Sequence, residues 1–201
     1  APACPAGPFL QRRKAMAHTE TMLESKEIFN GRVIRVTVDK VQLEDGSTST
    51  REIVHHHGGA CILPVDADGN ITLVRQFRYA FGEEIWELPA GKLEAFDTDP
   101  LDAAKRELKE EIGVTAKEFI PLGIYIPSPA ILSERIYVYL ARGLSYGNAH
   151  PDEDEFLDYR ETPLCQLIDM IMNDRISDGK TVFGLFKAAE YLRRQELKAN
   201  G

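Results

Sequence analysis

The stretch RELKEEIGV, residues 106–114, places Glu107, Glu110 and Glu111 within five residues of one another. On a helix Glu107 and Glu111 are four apart and share a side, and Glu110, three from Glu107, flanks it. Like charges at these spacings repel. A hard divalent cation would offset that repulsion. Mg²⁺ takes oxygen ligands and keeps several waters, so helical carboxylates can supply part of its shell and substrate phosphates the rest. Arg106 lies beside the three and can pair with a carboxylate. The competing reading is a solvated helix face, because Glu is a good helix former.

The elements that must position these residues are well marked. Asp99 is a natural N-cap, Pro100 suits the first helical position, and Asp102 puts a carboxylate in the first turn. Leu101, Ala104, Leu108 and Ile112 recur as a buried stripe, and Gly113 is a C-terminal stop. The pattern predicts a helix over 100–112, preceded by a strand ending in LPAG. Upstream, residues 31–56 read as strands with a turn at Asp45-Gly46. Two apolar strands then flank a turn at Asp68–Asn70. Downstream, FIPLGIYIP and ERIYVYLARGL read as strands. SYGNAHPDEDEF is a polar loop leading to a further strand, FLDYRETP, and two helical segments close the chain. Strands mixed with a few helices imply an α/β layered domain with a mixed sheet.

Composition narrows the function classes. The 201 residues carry a net charge of −8, which disfavours nucleic acid and an anionic membrane as partners. No apolar run approaches a membrane span. Cys4, Cys61 and Cys165 are widely spaced, which argues against a disulfide framework or zinc site and fits a reducing cytoplasm. The expected native start is Met16, with residues 1–15 an expression-derived or disordered segment. Residues 16–57 are expected to form a strand-rich N-terminal segment and 58–201 the catalytic domain.

Gly91 to Val114 resembles the Nudix box, G-x5-E-x7-R-E-U-x-E-E-x-G-U. The second half matches at Arg106, Glu107, Leu108, Glu110, Glu111, Gly113 and Val114. The first half departs: the first Glu position falls on Asp97, and the loop is one residue longer. The resemblance implies a Nudix-type α/β/α sandwich with a small antiparallel sheet ahead of it. It also implies hydrolysis of a nucleoside diphosphate linked to another group, with Mg²⁺, or Mn²⁺ in its place, on Glu107, Glu110, Glu111 and the backbone carbonyl of Ala90.

Four further segments, REIV, VRQFRY, IPSPAILSE and PDEDEF, are similar to those of the ADP-ribose pyrophosphatases, from about Phe29 to Leu192. That resemblance implies cleavage of ADP-ribose to AMP and ribose 5-phosphate by a homodimer whose N-terminal strands swap. It assigns Glu155, or Glu153 in the same loop, as the base, in a catalytic set with Arg106. Arg78 becomes a substrate contact, Arg51 and Phe29 residues on the adenine side, Glu134 a residue near the terminal ribose, and Pro129 the subfamily's distinctive proline. Arg75 is three from Arg78 and faces the other side of a strand, so it reads as a surface residue. His55, His56 and His57 alternate sides and cannot converge on one metal. Glu87 is divided between reaching the site and a structural hydrogen bond.

Overall fold

The structure, a computed structural model, describes residues 18–151 and 155–199. The expected start at Met16, the segment 1–15 and Glu153 lie outside the described residues. Strands β1 (Thr21–Asn30), β2 (Arg35–Gln42) and β3 (Thr48–His55) form one antiparallel sheet in that order. The Asp45-Gly46 turn closes β2 on β3 through Leu43 N–H to Ser47 O, 2.9 Å, with Gly46 at φ 83°. β1 lies ahead of the segment that reads as strand. All ten of its residues are exposed, so no buried face imposes alternation on Met22, Leu23, Ile28 and Phe29.

The turn at Asp68–Asn70 sends its two apolar strands into different sheets. The Asp66 carboxylate accepts the backbone N–H groups of Asp68 and Asn70, 2.8 Å each. β4 (Gly59–Pro64) joins β7 (Ala90–Lys92), β8 (Val114–Tyr125) and β9 (Ile136–Tyr146) in the order β7-β4-β9-β8. The β4–β9 pair is parallel and the other pairs are antiparallel, which makes the sheet mixed. β5 (Asn70–Arg78) lies between β6 (Glu83–Glu87) and β10 (Asp158–Pro163) in an antiparallel sheet.

Helices cover both faces of β4. Ala60 and Ile62 pack with Ala103, Ala104 and Leu108 of α1 (Pro100–Ile112). Cys61 and Leu63 pack with Leu167 of α2 (Leu164–Met172) and with Leu185 and Ala188 of α3 (Gly179–Ala199). The result is an α/β/α sandwich. Ile62, Leu63, Leu108 and Leu185 are each fully buried, a burial that stabilises by about 1.5–3 kcal/mol per side chain. α1 coincides with the predicted span. Asp99 accepts Leu101 N–H, Pro100 opens the helix, and Gly113 at φ 67° returns its N–H to Leu108 O and Lys109 O.

Candidate active site

α1 presents its carboxylates to the backbone of β7. Glu107 lies so close to Gly91 that a Cβ there would fall within its carboxylate. Only glycine leaves room for that approach. Glu111, one turn on, accepts a hydrogen bond from the Ala90 backbone, and its Oε2 has no hydrogen-bond partner among the described residues. Burial pushes the Glu107 carboxyl up to about 7, against the pull of Arg106, and Glu110 and Glu155 push the same way. Burial also drives Glu111 well above the carboxylate range, reinforced by the charges of Glu107 and Glu155. Two buried acids with an unsatisfied oxygen are a costly arrangement for a bare helix face. They fit a hard divalent cation, which compensates both charges. Among the described residues no three His, Cys, Asp or Glu side chains converge as a ready-made cage.

Arg106 holds the other edge of this set. Its Nη1 donates to Glu107 Oε1, 2.6 Å, and Glu110 Oε2, 3.1 Å. Its Nη2 donates to Lys92 O, 3.1 Å, and Asp97 Oδ2, 3.2 Å. Asp97, with a side chain only 3% exposed, also accepts Glu94 N–H at 2.8 Å. The longer loop with Asp in place of Glu thus closes on Arg106 as a compact turn. Phe96 adds a ring 5.6 Å from the guanidinium.

Ala90 and Gly91 line a cleft of about 410 Å³ whose walls also carry Arg78, Glu87, Glu134 and Glu155. Arg78 donates Nε to Glu87 Oε1, 2.6 Å, and Nη2 to Glu87 Oε2, 2.8 Å. Glu134 Oε1 lies 3.3 Å from His56 Nδ1. Glu155 lines the cleft and raises both Glu107 and Glu111 through its charge. Its loop is tied to the end of α1 by Gly147 N–H to Gly113 O and His150 N–H to Glu110 O, 2.8 Å each.

Three predicted contacts lie elsewhere within one protomer. Arg51 sits on β3, paired with Glu20 and bonded to Ser49 Oγ at 3.0 Å. Phe29 is 53% exposed on β1, against Gly31, and is not a core residue. Both belong to the N-terminal sheet, and neither lines the cleft. Pro129 is in an exposed turn where Ile131 and Leu132 donate to Ser128 O, and that turn carries it outward. Pro127, two residues earlier, lines the cleft instead. Arg75 is paired with Asp158 and Glu84. Sequence reasoning passed over Lys180, Asp178 and His56 as cleft residues. No local motif marks the first two, which arrive from the start of α3.

The NUDIX domain matches residues 55–183, and the chain belongs to that family. The nucleoside diphosphate sugar hydrolase N-terminal domain matches residues 20–54. Among curated relatives, the methanol dehydrogenase activator of Bacillus methanolicus is 40% identical over 88% of this chain and 94% of its own. The ADP-ribose pyrophosphatase of Bacillus subtilis (strain 168) is 37% identical over the same shares. An ADP compounds hydrolase of known structure shares the fold, with a TM-score of 0.77 at 22% identity over 88% of this chain and 95% of that one. Among the described residues no helix is long and apolar enough to cross a membrane.

Proposed function

We propose that the chain is a pyrophosphohydrolase that cleaves ADP-ribose to AMP and ribose 5-phosphate with Mg²⁺, or Mn²⁺ in its place. The observation that carries this is the pair of buried acids, Glu107 and Glu111, held against the Ala90–Gly91 backbone at the cleft. The relatives named ADP-ribose pyrophosphatase support the choice of substrate. Glu107, Glu111, Glu110 and the Ala90 carbonyl would hold the cation. When bound, it neutralises charge developing on the pyrophosphate and lowers the pKa of a bound water.

The chain's own residues do the rest. Arg106 orients Glu107 and Glu110 through one guanidinium edge. Arg78 supplies a fixed cation for a substrate phosphate, since the pair with Glu87 uses Nε and Nη2 and leaves Nη1 uncommitted among the described residues. Glu155, across the cleft, takes the proton from the attacking water as its oxygen bonds to phosphorus and the bond to the bridging oxygen breaks. Glu153 is the alternative base. Glu134 receives the terminal ribose.

Arg51 and Phe29 complete the adenine side in a homodimer with exchanged N-terminal strands. The exposure of Met22, Leu23, Ile28 and Phe29 on β1 supports this, because such a ribbon gains by pairing with a second copy. A monomer by sedimentation at micromolar concentration would refute the dimer. The reaction itself is tested by AMP release from ADP-ribose with Mg²⁺, using native protein and Glu111→Gln. We expect release by the native chain and a loss of about 10³-fold or more in the variant. Cleavage of a different nucleoside diphosphate derivative alone would overturn the substrate. No cleavage of any would make the fold a binding module.

A further inference from the structure

Lys180 is only 9% exposed, in the first turn of α3, yet it lines the cleft. Its ammonium is committed to two acids: Glu87 Oε2, and Asp178 Oδ2 at 3.0 Å. Glu87 is 3% exposed and is the same carboxylate that grips Arg78. Asp178 also accepts Thr181 N–H, 3.0 Å, and Thr181 Oγ–H, 2.6 Å. The Thr181 hydroxyl oxygen in turn accepts Leu88 N–H at 2.9 Å. Two cations and two carboxylates therefore close around one point of the cleft wall, and their formal charges cancel.

The balance depends on Lys180. Burial works against the Glu87 charge, yet Arg78 and Lys180 together hold its carboxyl below the usual range. Burial likewise opposes the Lys180 charge, and Asp178 and Glu87 hold it on. Without the ammonium, one guanidinium would serve two acids in a buried setting, and the wall would carry a net negative charge. An uncompensated buried carboxylate takes whatever cation is in reach, which disturbs the geometry of that cation. A negative wall also repels a pyrophosphate.

We infer that Lys180 is a positioning residue for substrate binding: by neutralising Glu87 and Asp178 from behind, it fixes the guanidinium of Arg78 where a substrate phosphate is received. This rests on the proposed role of Arg78 as a substrate contact. It makes α3, remote in sequence from the box, part of the substrate-binding apparatus. Because Arg78 holds substrate equally before and during reaction, the effect falls on KM and not on kcat.

The test is steady-state hydrolysis of ADP-ribose, at saturating Mg²⁺, by native protein, Arg78→Ala, Lys180→Met, the double variant and Lys180→Arg. Each single loss is expected to raise KM roughly 10-fold or more, with kcat within about 3-fold of native. The double variant should be no more than about 3-fold worse than Arg78→Ala, and Lys180→Arg should recover most of the loss. A normal KM in Lys180→Met beside a raised KM in Arg78→Ala would overturn the inference alone. Multiplying effects in the double variant would also overturn it, by showing that Lys180 acts independently. A normal KM in Arg78→Ala would overturn both this and the proposed role of Arg78. Glu87→Gln leaves Lys180 its Asp178 partner and carries the same test if Lys180→Met does not fold. It should raise KM similarly, and an unchanged KM overturns the inference.

Discussion

Glu107→Gln should destroy activity and stabilise the metal-free fold, with a gain that depends on pH. The Glu107 carboxyl is raised from an ordinary 4.5 to about 7, chiefly by burial. Between those values the unfolded chain has released the proton and the folded chain still holds it. Folding then binds protons, so stability is full below pH 4.5, falls as pH rises toward about 7, and levels off above. At roughly 1.4 kcal/mol per pKa unit the loss is about 3 kcal/mol. Gln does not titrate, and it also lifts the repulsion that the Glu107 charge exerts on Glu111, so both effects favour the variant as pH rises. Urea denaturation with a chelator present, from pH 4.5 to 8.5, should show the variant and native protein nearly equal at the acid end. At pH 8 the variant should be more stable by about 3 kcal/mol. Mg²⁺ added at pH 8 should stabilise native protein and have much less effect on the variant. A difference independent of pH, or a variant less stable at pH 8 than native, would refute the picture of Glu107 as a desolvated acid awaiting a cation.

Two further substitutions separate activity from stability. Gly91→Ala puts a methyl into the space of the Glu107 carboxylate, the end of a flexible side chain that can swing aside. Activity should fall about 100-fold while stability in urea changes by less than about 1 kcal/mol. A stable variant with native activity would show that Glu107 does not need its seat on β7. Asp97→Ala removes the acceptor shared by Arg106 and Glu94 N–H. It should cost about 2 kcal/mol of stability and lower kcat as Arg106 loses its place. A loss confined to stability would reduce the turn to a structural role.

Much of the helix was legible because every one of its signals is local. Asp99, Pro100, the Leu101–Ile112 stripe and Gly113 specify both ends and the buried face within fifteen residues. The mixed sheet was legible as a class, whereas the separation of β4 from β5 was not, since hydrophobic alternation does not name a strand's partner. β1 was legible only as part of the strand-rich segment 16–57, because a strand with no buried face has no period to read. The role of Asp97 in the altered loop depends on a turn that brings its carboxylate back to Arg106, nine residues on. Arg51 and Phe29 show the opposite limit. Their residue types suit an adenine site, but neither side chain lines the cleft within one chain. Lys180 was least legible of all, because its chemistry comes from Glu87, 93 residues earlier.

That separation bears on how the protein is made. The Nudix box is complete at Val114, yet the wall beside it is finished only when Lys180 and Thr181 dock on Glu87 and Leu88. A chain emerging from the ribosome would present its helical acids for more than sixty residues of synthesis before Lys180 was there to pair with Glu87. The wall of the cleft thus depends on α3, the last element of the fold to be synthesised, and on the connection at residues 173–178 that delivers it.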